Sequence, residues 1–330
     1  MAYQDPQLEA LKNIARTAEQ QEYHEAVTSE RFDEVFLQAV GDDNVKTMAF
    51  EFNADTNIMR FQVIRDHLRV VNYKVHNFTM SQETYEGFCS DTLKIDLKAT
   101  YNDSSNVIIN GRFCRIFAIM PPYKPLPLIV ISTVKNPPEK IATLGEREEK
   151  LLAEIINTSN VLIAGKSGSG KTYLLNYLLN KYMDKNKRIG VVQEFQEIIS
   201  PNEFTDQMTV PPRKPGQKHN DLEFLTEQSN LMRYDLVIVG EIKGPEAWPF
   251  ISNCASGTRG ITTMHGVDAD QCLRRLKGLC LRSEGSIDLV TDSIAKGIDY
   301  VVMIDDAKLK SISKVNQSTQ MGTFQMEELY

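Results

Sequence analysis

The sequence predicts an α/β protein of two domains, a smaller α+β domain followed by a domain with a mostly parallel sheet and flanking helices. Three observations predict it. The chain has 330 residues, which is more than a single hydrophobic core usually supports. Its first third carries short segments that alternate apolar and polar residues, as half-buried strands do. Beyond residue 150, short apolar runs alternate with helical stretches, which is typical of a parallel sheet covered by helices.

The smaller domain is predicted over residues 1–138. Apolar residues recur at helical spacing over residues 6–40, which predicts two amphipathic helices. Two strands are predicted on either side of Asn110 and Gly111, because Asn-Gly favours the tight turn of a β-hairpin. Further strands are predicted at Thr47–Phe52, Met59–Ile64 and Leu126–Val134.

A charged linker is predicted over residues 139–150, and the second domain over residues 151–330. Buried strands are predicted at Val161–Ala164, Ile189–Val192, Leu236–Val239 and Tyr300–Ile304. Pro and Gly residues predict an exposed loop at residues 211–216. The segment after Lys310 is rich in Ser, Gln and Thr, and we expect it to be loosely held.

Composition excludes several classes of protein. The formal charge of -7 and the pI of about 5.4 disfavour a surface built for nucleic acid, which we do not expect as a direct ligand. The five cysteines are scattered, so neither a disulfide framework nor a zinc site is expected. No run approaches the roughly 18 apolar residues of a membrane span, and no secretory signal is predicted at the start of the chain.

Residues 165–172 read Gly-Lys-Ser-Gly-Ser-Gly-Lys-Thr between a predicted strand and a predicted helix. The glycines let the backbone curl until its N–H groups point at phosphate oxygens, and the helix N-terminus adds positive potential. Lys171 is predicted to meet the β- and γ-phosphates, and the Thr172 hydroxyl to ligate Mg²⁺. The nucleotide-binding residues predicted here are Gly165, Ser167, Gly168, Ser169, Gly170, Lys171 and Thr172. No Asn-Lys-x-Asp segment, which would recognise guanine, is present, so ATP is favoured over GTP.

An acidic residue follows the predicted strand at Leu236–Val239. Glu241 comes directly after this strand, where a carboxylate would face a nucleotide at the strand's carboxyl end. It is a candidate to polarise the attacking water or to order Mg²⁺ through water. An acid at such a position can also simply meet solvent or cap the next helix. The preceding phosphate-binding loop favours the functional interpretation.

Three segments together resemble a known family. Residues 165–172, Gly240-Glu241 and the segment Ala255–Gly266 resemble, in order and spacing, the hexameric ATPases of type IV secretion, conjugation, type II secretion and type IV pili. The third segment resembles that family's histidine box. The resemblance covers about residues 144–305 and implies that the second domain is a RecA-like P-loop ATPase domain that uses ATP and Mg²⁺.

The resemblance also implies roles for individual residues. His265, with Thr262 and Thr263, would form a polar relay toward the γ-phosphate, and a histidine can change charge near physiological pH. The family's acidic box opens with Glu-Asp, whereas this chain has Gln193-Glu194. This departure leaves Glu194 and Glu197 as candidates for water-mediated contact with Mg²⁺.

Arginines of the family are matched in part. Arg233 matches one arginine just before the hydrolytic strand, but Leu231 stands where a second is common. Arg115 matches an arginine that reaches the nucleotide from the N-terminal domain. A second one is missing near Ser132, and Lys135 is the candidate to replace it, without the planar fork of an arginine.

The function that the resemblance implies is an ATP-hydrolysing hexameric motor for assembly or substrate transfer in a type IV secretion, conjugation or pilus-type machine. Such a motor is cytoplasmic and peripherally associated with the inner face of the cell membrane, with inner-membrane components of the apparatus as partners. Two alternatives remain: a DNA-translocating or packaging ATPase, which the acidic balance disfavours, and a non-hydrolysing nucleotide-gated scaffold, which the altered acidic box and missing arginines favour.

Overall fold

The computed structural model describes residues 31–67, 70–99, 102–124, 126–134, 137–210, 221–317 and 323–330. Most of the predicted helical region 6–40 and the predicted loop at residues 211–216 lie outside this described part. The chain divides into two compact units, with the boundary between Val134 and Lys135. Each unit has its own hydrophobic core.

The first unit is an antiparallel sheet with helices. The strand order is β3-β2-β1-β6-β5-β4, and every neighbouring pair is antiparallel. Its elements are α1 Phe32–Gly41, β1 Val45–Asn53, β2 Ile58–His67, β3 Val70–Thr79, α2 Gln82–Gly87 continued by a π-helical turn Phe88–Thr92, β4 Asn102–Ile109, β5 Arg112–Ile119 and β6 Leu128–Thr133.

The hairpin prediction in this unit is confirmed. Asn110 and Gly111 join β4 to β5 with φ values of 51° and 75°, as the left-handed turn of a tight hairpin requires. The predicted strands at residues 47–52, 59–64 and 126–134 correspond to β1, β2 and β6. Aromatic residues fill the core beneath α1, where the rings of Phe50 and Phe61 stack with centroids 4.6 Å apart.

The second unit is a mixed sheet with helices on its faces. The strand order is β14-β13-β12-β7-β11-β10-β8-β9, parallel from β12 to β9 and antiparallel at β13 and β14. Its elements are α3 Glu146–Thr158, β7 Val161–Gly165, α4 Lys171–Tyr182, β8 Ile189–Gln193, β9 Thr205–Thr209, α5 Asp221–Ser229, a 3₁₀ turn Asn230–Met232, β10 Leu236–Val239, α6 Ala247–Ala255, β11 Gly260–His265, α7 Ala269–Cys280, α8 Ile287–Gly297, β12 Tyr300–Asp305, β13 Lys308–Val315 and β14 Met326–Glu328.

Successive residues of the central strands face two separate cores. In β7, Leu162 and Ala164 pack into the core that contains residues of α6, α7 and α8. Val161 and Ile163 pack into the other core, which contains residues of α3 and α4. Because strand side chains alternate between faces, a strand buried on both sides is mostly apolar. The predicted strands at residues 161–164, 189–192, 236–239 and 300–304 therefore match β7, β8, β10 and β12.

Two regions differ from expectation in their packing. The segment after Lys310 was expected to be loosely held, but β13 extends to Val315 along β12. Neighbouring backbone groups can hold a polar sequence in a strand, which composition does not reveal. Ile141 and Leu144, in the predicted linker 139–150, are buried in the second unit's core. In the described part of the chain, no helix is long and apolar enough to cross a membrane.

Candidate nucleotide-binding site

The predicted phosphate-binding loop joins the carboxyl end of β7 to the start of α4. Gly168 and Gly170 have φ values of 70° and 97°, in the left-handed region that glycine adopts without steric cost. A Cβ atom on Gly165 would lie 2.1 Å from the carbonyl oxygen of Ile304 and 2.6 Å from Ser169 Oγ. At Gly165 the backbone of the loop is therefore packed too closely for a side chain.

Lys171 is the first residue of α4 and is only 7% exposed. Its Nζ donates to the carbonyl oxygens of Gly165 at 3.1 Å and Lys166 at 2.8 Å, and it lies 3.1 Å from His265 Nδ1. Burial lowers the pKa of Lys171, and the carboxylates of Glu241 and Glu197 oppose that shift. The ammonium group is thus held among protein groups at the mouth of the loop.

His265 and Glu241 lie beside this lysine. His265 ends β11, and its backbone pairs with Gly165 at the end of β7. His265 Nε2 lies 2.8 Å from Glu241 Oε1, at an ion-pair distance without the geometry of a directed hydrogen bond. An ammonium group can only donate hydrogen bonds, so Nδ1 of His265 must be the acceptor in its contact with Lys171. In the neutral imidazole ring the proton is then on Nε2, the nitrogen that faces Glu241. Three residues that were predicted from separate motifs therefore form one continuous series of side-chain contacts, from Lys171 through His265 to Glu241.

The two threonines before His265 support the strand that ends at Glu241. Thr262 Oγ1 donates to the carbonyl oxygen of Val239 at 2.8 Å, and Thr263 Oγ1 donates to that of Gly240 at 2.7 Å. The backbone amide of the residue after Glu241 also donates to Thr263 O, at 2.9 Å. Their hydroxyls thus link β11 to the end of β10, and the relay toward the phosphate stays a prediction.

Glu246 is a functional candidate that the sequence did not reveal. It is 1% exposed, and its Oε1 accepts hydrogen bonds from the backbone amides of Lys243 and Gly244, each at 2.7 Å. This carboxylate fixes the turn that carries Glu241. The one signal for Glu246 in the sequence is an acidic residue directly before an apolar helix. Arg275 Nη1 also donates to the backbone carbonyl oxygen of His265, at 2.9 Å.

The acidic box forms the loop after β8. Gln193 is 2% exposed, and its Oε1 accepts from the amides of Glu197 and Ile198, both at 3.0 Å. Glu194 forms an ion pair with Lys243. The residue that departs from the family pattern is therefore a buried structural amide.

The site residues fit a nucleotide with Mg²⁺. Ser169 is 3% exposed, and its buried Oγ has no hydrogen-bond partner among the described residues, as expected of a group available to a ligand. Ser167 and Gly168 are exposed and Thr172 is partly exposed. No group of three or more His, Cys, Asp or Glu side chains in the described ranges could hold a metal. Thr172, the second residue of α4, carries the hydroxyl that would contact Mg²⁺ beside phosphate oxygens and water.

Two predicted arginines lie on other elements than the residues described above. Arg233 precedes β10, at the opposite edge of the sheet from Glu241. Arg115 lies on β5 of the first unit with an exposed side chain, between Asn106 and Ser132 of the neighbouring strands. The roles of both arginines stay predictions, and Lys135 lies outside the described residues.

The chain is similar to proteins of type II and type IV secretion systems. Residues 122–321 match the family model described as type II/IV secretion system protein. The chain is 28% identical over 163 residues to protein VirB11 of Agrobacterium fabrum, covering 48% of this chain and 47% of that protein. It is 35% identical over 147 residues to the type IV secretion system protein VirB11 of Bartonella quintana, covering 44% of this chain and 40% of that one. The chain thus spans less than half of the length of these curated relatives.

A solved structure shares the fold. The ATPase DotB of Legionella pneumophila is 16% identical, with a TM-score of 0.58, over 92% of this chain and 82% of that one. At this level of identity the likeness concerns the fold alone. It agrees with a RecA-like sheet flanked by helices in the second unit.

Proposed function

Because the chain belongs to the type II/IV secretion system protein family, we propose that it is an ATP-hydrolysing hexameric motor. It powers assembly or substrate transfer in a type IV secretion, conjugation or pilus-type machine. The observation that carries this proposal is the contact chain from Lys171 through His265 to Glu241. It links the phosphate-binding lysine directly to the candidate hydrolytic carboxylate, as a site built for turnover requires.

Each residue of the site then has a role. Lys171 exchanges part of its contact with backbone carbonyls and His265 for the β- and γ-phosphates of ATP, and Thr172 holds Mg²⁺. Glu241 orients the attacking water and His265 responds to the γ-phosphate. When bound, Mg²⁺ neutralises charge on the phosphates. Glu194 is a candidate for water-mediated contact with Mg²⁺, Arg233 for sensing of the phosphate, and Arg115 for contact with the nucleotide from the N-terminal domain.

The working form is a homohexameric ring. Ligand-dependent motion in a single subunit performs no transport by itself, so a ring that passes motion between neighbours is the form that fits the family. We place the ring in the cytoplasm at the inner face of the cell membrane, bound to inner-membrane components of the apparatus. The names of the curated relatives, which belong to type IV secretion, support a role in such an apparatus.

The test is ATP turnover and nucleotide binding by the purified full chain. Lys171→Ala should weaken binding about tenfold or more, because it removes a charged contact with phosphate. Glu241→Gln should bind normally and lose turnover by at least about 10²-fold. The matched controls are Lys185→Ala and Glu227→Gln, which change exposed residues of the same unit and should leave both quantities unchanged.

Other outcomes select the alternatives. Normal turnover in Glu241→Gln would remove this residue from the hydrolytic role. Nucleotide binding without turnover in the unaltered protein would favour the scaffold, and turnover that rises with DNA would favour a nucleic-acid motor. Molecular mass in solution with and without nucleotide tests the ring separately, and a monomer under both conditions would contradict it.

A further inference from the structure

Two buried amide side chains bracket one residue of the acidic box. Gln193 Oε1 accepts a hydrogen bond from the backbone amide of Glu197 at 3.0 Å. Asn176 Nδ2, on the helix that begins at Lys171, donates to the backbone carbonyl oxygen of Glu197 at 2.8 Å. Asn176 is 3% and Gln193 2% exposed. Both polar groups of this one peptide segment are therefore held by side chains from two different elements.

The same two side chains also bind the backbone of the residues that follow Glu197. The amide of Ile198 also donates to Gln193 Oε1, at 3.0 Å, and the amide of Ile199 donates to Asn176 Oδ1 at 3.0 Å. A neutral amide can donate and accept in this way, whereas an ionised carboxylate can only accept. Gln193 Nε2 donates in addition to Gln207 Oε1 at 2.9 Å. The amide at position 193, which departs from the family pattern, is therefore suited to this place.

The two candidate glutamates differ in their surroundings. The carboxylate of Glu197 is one of two that oppose the burial shift in the pKa of Lys171, so it lies within electrostatic reach of the phosphate-binding loop. Glu194 is paired with Lys243 on the turn after β10. Of the two glutamates, Glu197 is the one whose backbone is held by Gln193 and Asn176. Its charge also acts on the pKa of Lys171.

We propose that Asn176 and Gln193 are positioning residues that hold Glu197 toward the phosphate-binding loop, where its carboxylate contacts the water shell of Mg²⁺ on the bound nucleotide. This inference rests on the proposed nucleotide binding. Since Asn176 lies on the helix that starts at Lys171, the same helix that grips phosphate also sets the position of the acidic loop. Residues that orient a metal-binding group typically affect metal affinity nearly as strongly as the group itself.

The experiment measures the gain in affinity for a non-hydrolysable ATP analogue when Mg²⁺ replaces EDTA. Asn176→Ala, Gln193→Met and Glu197→Gln should each reduce this gain about tenfold. Asn180→Ala is the matched control, because Asn180 lies one turn further along the helix and bonds the loop only at Ile199 O, at 3.0 Å. It should retain the gain within about twofold. The double variant Asn176→Ala/Glu197→Gln should lose no more than Glu197→Gln alone, because Asn176 acts through Glu197.

Each other outcome decides against the inference. A wild-type gain in folded Asn176→Ala, or a larger loss in Glu194→Gln than in Glu197→Gln, overturns it. Gln193→Met decides the matter if Asn176→Ala does not fold, as judged by circular dichroism. If the unaltered protein binds the nucleotide without any gain from Mg²⁺, this inference alone fails. If it binds no nucleotide at all, the proposed function fails as well.

Discussion

Lys171 Nζ lies 3.1 Å from His265 Nδ1, although the two residues are 94 positions apart in the chain. The contact arises because β7 and β11 are parallel neighbours, so the elements that follow their carboxyl ends meet at one edge of the sheet. The other ring nitrogen of His265, Nε2, lies 2.8 Å from Glu241 Oε1. The candidate phosphate-binding lysine and the candidate hydrolytic carboxylate are therefore connected through a single imidazole ring.

Removal of that ring should separate binding from turnover. We expect His265→Ala to lower kcat by about 10²-fold and to leave nucleotide affinity within about threefold, because Lys171 keeps its phosphate contacts while Glu241 loses its neighbour. Steady-state kinetics and titration calorimetry measure the two quantities. The control is Lys185→Ala in the same assays. A parallel loss of affinity and kcat would show that the ring only supports the fold of the loop.

Glu246 should act through Glu241. Glu246→Ala leaves two partly buried backbone amides without their acceptor, a loss worth about 1–3 kcal/mol. The turn that carries Glu241 then loosens, and we expect kcat to fall about tenfold or more with KM nearly unchanged.

Glu246→Gln provides the matched control. Its Oε1 can still accept from both amides, so kcat should recover to within about threefold of the wild type. If Glu246→Gln is as impaired as Glu246→Ala, the charge of Glu246 matters and the positioning role is wrong. Unchanged kcat in both variants would exclude any role for this carboxylate.

Ala307 is a site where stability can be gained. It lies with Asp306 in the turn between β12 and β13, at a φ of 55°, and its amide donates to the carbonyl oxygen of Ser169 at 2.8 Å. A left-handed conformation costs an ordinary residue about 1–2 kcal/mol. Ala307→Gly and Ala307→Asn should therefore raise the melting temperature, whereas Ala307→Val should lower it. The side chain is exposed, so burial does not confound the series. A melting temperature that falls in both Gly and Asn variants would contradict this account.

Acid should weaken the contact between α3 and α4. Glu149 accepts hydrogen bonds from Lys181, Tyr177 and Tyr182, and these donors lower its pKa from 4.5 to about 2. Because the pKa is lower in the folded state, the charged carboxylate favours folding, and this contribution is complete above pH 4.5 and lost as the pH falls toward 2. Urea unfolding midpoints should fall across this range.

Glu149→Gln should show a smaller fall in midpoint over the same range, because it cannot be protonated. Glu154→Gln is the control, since Glu154 is an exposed residue on the same helix, and it should behave like the wild type. Identical pH dependence in all three proteins would mean that other carboxylates determine the acid stability.

The elements that could be predicted from sequence are those whose pattern is local. Strands buried on both faces are mostly continuous apolar runs, and β7, β8, β10 and β12 were found for that reason. The polar strands β9, β13 and β14 were missed. They lie at the two ends of the sheet, where one side of a strand meets solvent and apolar residues are not required.

The sequence by itself determined the phosphate-binding loop, the strand that ends at Glu241 and the segment that ends at His265, because each depends on residue types at fixed short spacings. Tertiary structure decided how these meet. Strand order brings Lys171, His265 and Glu241 together, and long-range packing buries Gln193 and Glu246 as supports of the site. Hydrogen bonds between residues distant in the chain have no periodicity, so no local pattern of residue types could reveal them.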